Sequence, residues 1–207
     1  MNNLFIFDLD GVLIETTDIH FECLNKALNL LSKDYVISYE DHIKLYNGLP
    51  TKEKLKILTI EKNLPIEKYE FINNQKQIET IKKFNSIATN RNLIKYFKLI
   101  KNKNIKIAVA SNCIRESVKI ALLKLNLIEY VDIYLSNEDI LKPKPYPEIY
   151  WKCMTFLNSI PNKTVIFEDS KVGILGASYT HANLVKVDSK KLVTLENIEF
   201  AIKLLIK

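Results

Sequence analysis

The stretch "LFIFDLDGVL" occupies residues 4–13. Four apolar residues in succession, Leu4 to Phe7, read as a strand buried on both faces, as in the parallel sheets of α/β domains. Two aspartates, Asp8 and Asp10, follow at once, and Gly11 breaks the run. Carboxylates are costly in such surroundings unless paired or metal-bound. The plain alternative is a strand that ends in a solvated turn, with Asp-Leu-Asp-Gly as ordinary turn chemistry.

Working outward, strands and helices alternate. Further strands are expected at 105–111, 131–135, 164–168 and 184–187, with helical patterns near 90–102, 114–126, 146–158, 171–180 and 194–206. That order implies βαβ units and a doubly wound parallel sheet, an α/β fold. Residues 16–88 break the alternation, because "TTDIHFECLNKALNLL", "TKEKLKILTIEKN" and "EKYEFINNQKQIETIKKF" carry apolar residues at helical spacing. Such an insert is too long for a crossover, so residues 16–88 are expected to form a small helical domain beside a core of 1–15 and 89–207.

The chain of 207 residues is 47% hydrophobic, enough for a real core. No apolar run reaches membrane-spanning length, and the first residues are a strand candidate rather than a signal peptide. Cys23, Cys113 and Cys153 are odd in number and outside metal-ligand spacing, which suggests a reducing, cytoplasmic compartment. The net charge of +6 comes from lysines scattered over helix faces and turns without interleaved aromatics, a solvated surface rather than a nucleic-acid interface. No nucleic-acid or membrane partner is expected, and the chain is expected to be a monomer or weak homodimer.

Four short stretches sit at the carboxyl ends of expected strands, where open α/β sheets bind ligands. They are Asp8 with Asp10, Ser111 with Asn112, "LKPKPYPEIY" with Lys142, and Glu168 with Asp169. Singly they read as helix caps and turns. Together and in this order they resemble the haloacid dehalogenase superfamily. Asp-Leu-Asp-Gly-Val-Leu matches its first motif, Ser111 the second, Lys142 the third, and Glu168-Asp169-Ser170 with Gly173 the fourth. A helical insert between the first two motifs resembles the subgroup of phosphoglycolate phosphatase and β-phosphoglucomutase.

The resemblance implies a Rossmann-like core, a helical cap and a Mg²⁺-dependent phosphatase of small phosphorylated metabolites. A β-phosphoglucomutase-like sugar phosphomutase and a catalytically silent binding protein are the alternatives. Asp8 would be the nucleophile that forms an aspartyl-phosphate. Asp10 would act as general acid and then base, and would offer its backbone carbonyl to the metal. Asp8, Asp169 and, less directly, Glu168 complete the expected metal set, since a hard dication must offset the repulsion between carboxylate and phosphate. Lys142, Ser111, Asn112 and the loop at Gly11 would bind the phosphoryl oxygens.

Within the insert, Thr16 and His20 resemble cap hinge and gate residues. "GLPTKEKL" at 48–55 resembles the cap loop that supplies a basic substrate contact, here Lys52, with Lys76 on a later helix as a further candidate. Cys113 reads as a small buried residue rather than a redox switch. Two departures from the family pattern touch no expected catalytic position: "ATNRN" at 88–92 replaces a Pro-Gly, and His181 replaces a glycine suited to a left-handed helix cap. Glu15 stands where relatives often carry Asp.

Overall fold

A computed structural model describes residues 1–206. The strands are β1 (Leu4–Phe7), β2 (Lys106–Ala110), β3 (Ile133–Leu135), β4 (Thr164–Glu168) and β5 (Asn183–Lys186). All pair in parallel, in the order β3-β2-β1-β4-β5. The expected doubly wound sheet is therefore present, and its first strand is central. β3 is shorter than the sequence pattern because the Asp132 carboxylate itself accepts the Ile107 N–H at 2.8 Å and pairs with Lys101 and Lys106.

Alternate residues of β1 face opposite cores. Phe5 and Phe7 join Val109, Phe167, Leu93 and Phe97 on one side, and the Phe7 ring stacks on Phe167 and Phe97 at 4.3 and 5.1 Å. Leu4 and Ile6 join Ala108, Ile166, Ile149 and Tyr150 on the other. A strand fully apolar at four successive positions is what two covered faces require.

The helices are α1 (Thr17–Asn29), α2 (Tyr39–Asp41), α3 (Thr51–Lys62), α4 (Tyr69–Phe84), α5 (Arg91–Asn102), α6 (Arg115–Lys124), α7 (Glu148–Phe156), α8 (Lys171–Ser178) and α9 (Leu195–Leu205). α2 runs on as a π-type turn over His42–Tyr46. Residues 16–88 hold no strand, as their periodicity predicts, and carry an apolar cluster of their own that includes Leu24, Leu28, Tyr46, Leu55, Leu58 and Ile72. No described helix is long and apolar enough to cross a membrane.

Both departures noted in the sequence have a local explanation. Asn90 caps α5, its side chain accepting from Asn92 N–H and Leu93 N–H, so no Pro-Gly is needed there. His181 adopts the left-handed conformation, φ 58°, that a glycine would take more freely.

The register aligns Phe7 with Val109 on one side and Phe167 on the other. The residues that follow β1, β2 and β4 therefore emerge together at one sheet edge. The strand order reverses between β1 and β4, which opens a crevice there.

Candidate active site

Asp8 leaves β1 with its N–H still bonded to Phe167 O at 3.0 Å, so the strand ladder fixes its position. Gly11 has φ +78°, and its Cα faces the Asp169 carboxylate so closely that any Cβ would collide with it. A side chain at position 11 would therefore push the β1 loop and the β4 loop apart. The Gly11 N–H donates to Ile14 O at 2.7 Å, so Gly11 serves by its shape, and the expected phosphate-binding N–H at this residue is already engaged.

The lysine beside the aspartates is Lys144. Its ammonium donates to Asp8 Oδ1 at 2.6 Å, to Ala110 O at 2.8 Å and to Glu168 Oε1, and the side chain is 2% exposed. Lys142, assigned this role from the sequence, is exposed, with its ammonium 5.1 Å from the centre of the Tyr146 ring. The correction is a shift of two residues within Lys-Pro-Lys-Pro. Burial separates the two lysines: Lys144 tucks under the strand ends with Asn112 Oδ1 accepting its backbone N–H at 3.2 Å, while Lys142 stays in the solvated turn.

Glu168 is wholly buried and accepts Lys144 and the Tyr150 hydroxyl, the latter at 2.6 Å. Burial pulls Lys144 down, but Asp8 and Glu168 outweigh it and hold the ammonium protonated well above the ordinary lysine range. Asp8 moves the other way: burial and the charge of Glu168 push its carboxyl up, against the pull of Lys144.

Asp169 shares this crowding. Burial, then Glu168 and Asp10, push its carboxyl up to about 7, and its Oδ1 is buried with no partner among the described residues. Oxygens of Asp8, Glu168 and Asp169 lie within 4.8 Å of one another. Three carboxylates against one ammonium, with an orphaned oxygen and an all-oxygen donor set, fit a hard divalent cation such as Mg²⁺.

That crowding gives a checkable outcome. A carboxyl whose folded-state value exceeds its ordinary value binds its proton more tightly when folded, so metal-free stability falls as pH rises from about 4 through about 7. The melting temperature of EDTA-treated protein should drop between pH 5 and pH 8. Asp169→Asn should flatten that drop, and Mg²⁺ should raise the melting temperature at pH 8 in the native chain only. A flat profile in the native chain would contradict this electrostatic account.

Asp10 lies in a different setting. The Thr16 hydroxyl donates to Oδ1, His20 Nε2 lies 3.1 Å from the same oxygen, and Cys113 Sγ lies 3.1 Å from Oδ2. Burial would raise Asp10, but the His20 ring and these hydrogen bonds outweigh it and hold the carboxyl below the usual carboxylate range. Thr16 and His20 thus reach the aspartate loop. Ser111, wholly buried, accepts the Cys113 N–H at 3.0 Å and sends its hydroxyl towards Asp10 Oδ2 at 3.5 Å. The Asn112 amide donates to Gly48 O at 2.9 Å and so ties the β2 loop to the insert. Gly48 has φ +77° and packs against Ser170 and Val172, which leaves no room for a side chain in that approach.

Lys52 faces solvent on α3, away from the cavity that Asp8 and Asp10 line. The buried face of α3 runs Thr51, Lys54, Leu55 and Leu58, and Lys54 is the lysine in the cavity wall. Helical phase therefore corrects the assignment by two positions. Lys76 on α4 lines the same cavity, and both lysines are nearly buried, at 5% and 6% exposure. Among the described residues neither ammonium pairs with a carboxylate. Burial, then repulsion from Lys76, bring Lys54 down to about 7. Cys113 is half-buried, packed against the main core and lining this cavity, and Gln77 also lines it. Neither entered the sequence-derived site.

A model of the haloacid dehalogenase-like hydrolase family matches residues 5–187. A phosphorylated carbohydrates phosphatase of Thermotoga maritima is 32% identical over 83% of this chain and 78% of its own length. The pyrophosphatase PpaX of Anoxybacillus flavithermus is 24% identical over 86% of this chain and 79% of its own. In three dimensions the crystal structure of β-phosphoglucomutase from Clostridium difficile superposes with a TM-score of 0.82 at 20% identity, covering 100% of this chain and 99% of that one.

Proposed function

Because this chain belongs to the haloacid dehalogenase-like hydrolase family, as a phosphatase with a Rossmann-like core, we propose that it hydrolyses small phosphorylated metabolites through a covalent intermediate on Asp8. The observation that carries this reading is the Asp8 carboxylate itself. Lys144 engages Oδ1 at 2.6 Å, which leaves Oδ2 free to attack.

In the first step Asp8 Oδ2 bonds to phosphorus as the ester P–O bond breaks, and the leaving oxygen takes a proton from Asp10. Asp10 is held ionised in the free enzyme, and an arriving phosphate dianion raises its proton affinity, so the substrate itself helps load the acid. In the second step Asp10 accepts a proton from water, the water oxygen bonds to phosphorus, and the P–Oδ2 bond breaks to return Asp8. Lys144, Ser111 and Asn112 offer donors to the phosphoryl oxygens. Asp8, Asp169 and the Asp10 carbonyl, with Glu168 behind them, would hold Mg²⁺, which supplies charge neutralisation for the attack of an anion on an anion.

Residues 16–88 act as a cap in this reading, and the cap chooses the substrate. Two buried ammoniums without a carboxylate partner among the described residues call for an anion from elsewhere. Lys54 and Lys76 therefore favour substrates with a second anionic group, a further phosphate or a carboxylate, at the end remote from the reacting phosphate. Lys54→Met should cut kcat/KM about 10–100-fold for a sugar bisphosphate, the loss of one charge-assisted contact. The same change should alter hydrolysis of p-nitrophenyl phosphate far less.

The pH dependence follows with its sign. Lys54 is cationic below about 7 and neutral above, so the preference for the bisphosphate should weaken as pH rises from 6 to 8. Equal losses on both substrates, or a preference that strengthens with pH, would contradict the assignment.

One observation favours a phosphomutase as second reading: the acid–base Asp10 is tied to Thr16 and His20 of the cap, a coupling that can withhold water until a sugar hydroxyl arrives. The test supplies a hexose 1-phosphate with a bisphosphate primer. Phosphate release from several unrelated monoesters supports the phosphatase, and isomerised sugar phosphate formed faster than free phosphate supports the mutase.

A further inference from the structure

We propose that Cys113, His20 and Asp10 form a second metal site, separate from the carboxylate set, which takes a borderline or soft dication such as Zn²⁺ or Cd²⁺ and arrests turnover when filled. The three side chains come from three segments: the loop after β1, helix α1 of the cap, and the loop after β2. Cys113 Sγ lies 3.1 Å from Asp10 Oδ2 and 3.7 Å from His20 Nε2, and that nitrogen lies 3.1 Å from Asp10 Oδ1. Ordinary Zn–S, Zn–N and Zn–O bond lengths place tetrahedral neighbours about 3.3–3.7 Å apart. The donors thus stand close to ligand spacing before any metal arrives.

Donor chemistry separates this site from the other. Sulfur, imidazole nitrogen and one carboxylate select a borderline or soft ion, whereas Asp8, Glu168 and Asp169 offer oxygen alone and suit a hard one. All three donors line the cavity, which leaves a fourth position for water. The ligands are also braced from behind: Thr16 holds Asp10, and Ser111 accepts the Cys113 N–H. Asp10 Oδ1 accepts the ring proton at His20 Nε2, the nitrogen that must be free for a metal, and Nδ1 has no partner among the described residues, so it is open to take that proton when a metal binds Nε2.

Binding breaks the Sγ–H and the thiol–Asp10 hydrogen bond and forms a metal–sulfur bond, the thiol proton going to solvent; the ring proton that Nε2 shares with Asp10 Oδ1 is exchanged through water to Nδ1, so that Nε2 bonds the metal as a neutral imidazole. The thiolate and Asp10 together then balance the dication. The ammoniums of Lys54 and Lys76 on the same wall oppose the ion, so affinity should fall below that of a structural zinc site. A filled site occupies Asp10 and pins α1 of the cap to the β2 loop. The arrest rests on the acid–base role proposed for Asp10, whereas the binding does not.

The test titrates CdCl₂ into reduced protein in excess Mg²⁺ and follows the thiolate-to-metal absorption in the ultraviolet. One equivalent per chain should saturate the band. Cys113→Ser should abolish it, Cys23→Ser and Cys153→Ser should keep it, and His20→Gln should shift it to higher Cd²⁺. No band, or a band that persists in Cys113→Ser, would overturn the site. In activity assays Cys113→Ser should require at least about tenfold more Cd²⁺ for the same fractional inhibition. Equal sensitivity of native and variant enzymes would overturn the arrest and place the inhibiting ion at the carboxylates. If the chain hydrolysed no phosphate ester, the absorption band would still report the site.

Discussion

Lys144→Ala is expected to lose at least about 10³-fold in turnover, because the charge that faces both the nucleophile and the transferring group disappears. It is also expected to destabilise the fold by about 3–5 kcal/mol, since Asp8 and Glu168 would remain buried without their counter-charge. That is a large share of the ~5–15 kcal/mol that holds a domain together. Lys142→Ala, two residues away, should stay within about 0.5 kcal/mol and keep its activity, as an exposed side chain should. The double variant Lys144→Ala with Glu168→Gln separates the two effects. Removing the stranded glutamate should recover part of the melting temperature and none of the turnover. If Lys142→Ala were the damaging change, or if the double variant regained activity, the assignment of Lys144 would fail.

The second large effect is expected at Asp8. Asp8→Asn keeps an oxygen for the Lys144 hydrogen bond and keeps the strand register, so circular dichroism and melting behaviour should remain close to native. Turnover should fall by about 10⁴-fold or more, as when a covalent nucleophile is removed from other enzymes. A loss below about tenfold would remove Asp8 from the reaction path. Asp10→Asn should also be severe, with one distinguishing feature. It should retain some phosphoryl transfer to Asp8 from esters with good leaving groups, which need no proton, while failing to release phosphate in the second step.

The sheet was legible because β1 is apolar at every position and each later strand ends in a short polar stretch. Alternating periods of two and 3.6 residues then order the strands without further information. Asp8, Asp10, Ser111, Asn112, Glu168 and Asp169 were legible for the same reason: each lies within three residues of a strand end, so strand register brings them together. The two misplaced lysines follow a different logic. In Lys142-Pro143-Lys144-Pro145 both lysines have the same neighbour, and only burial beneath Ala110 O and Asp8 distinguishes Lys144.

On α3 the phase was available: Thr51, Leu55 and Leu58 define the buried stripe, and Lys54 falls on it where Lys52 does not. Lys52 faces outward because it falls off that stripe. Cys113 had no such signal. Its contact with Asp10 depends on how two loops from separate strands meet, a long-range relation that local spacing does not carry.

A phosphoryl group carried on Asp8 can be trapped by rapid acid quenching during turnover of a substrate radiolabelled in its phosphoryl group, followed by borohydride reduction and peptide mapping. Label is expected on the protein only in the presence of substrate and Mg²⁺, with reduction converting the residue at position 8 to homoserine. Label recovered at a residue other than Asp8, or none on the protein while labelled phosphate accumulates at full rate in enzyme whose second step has been slowed by Asp10→Asn, would overturn it.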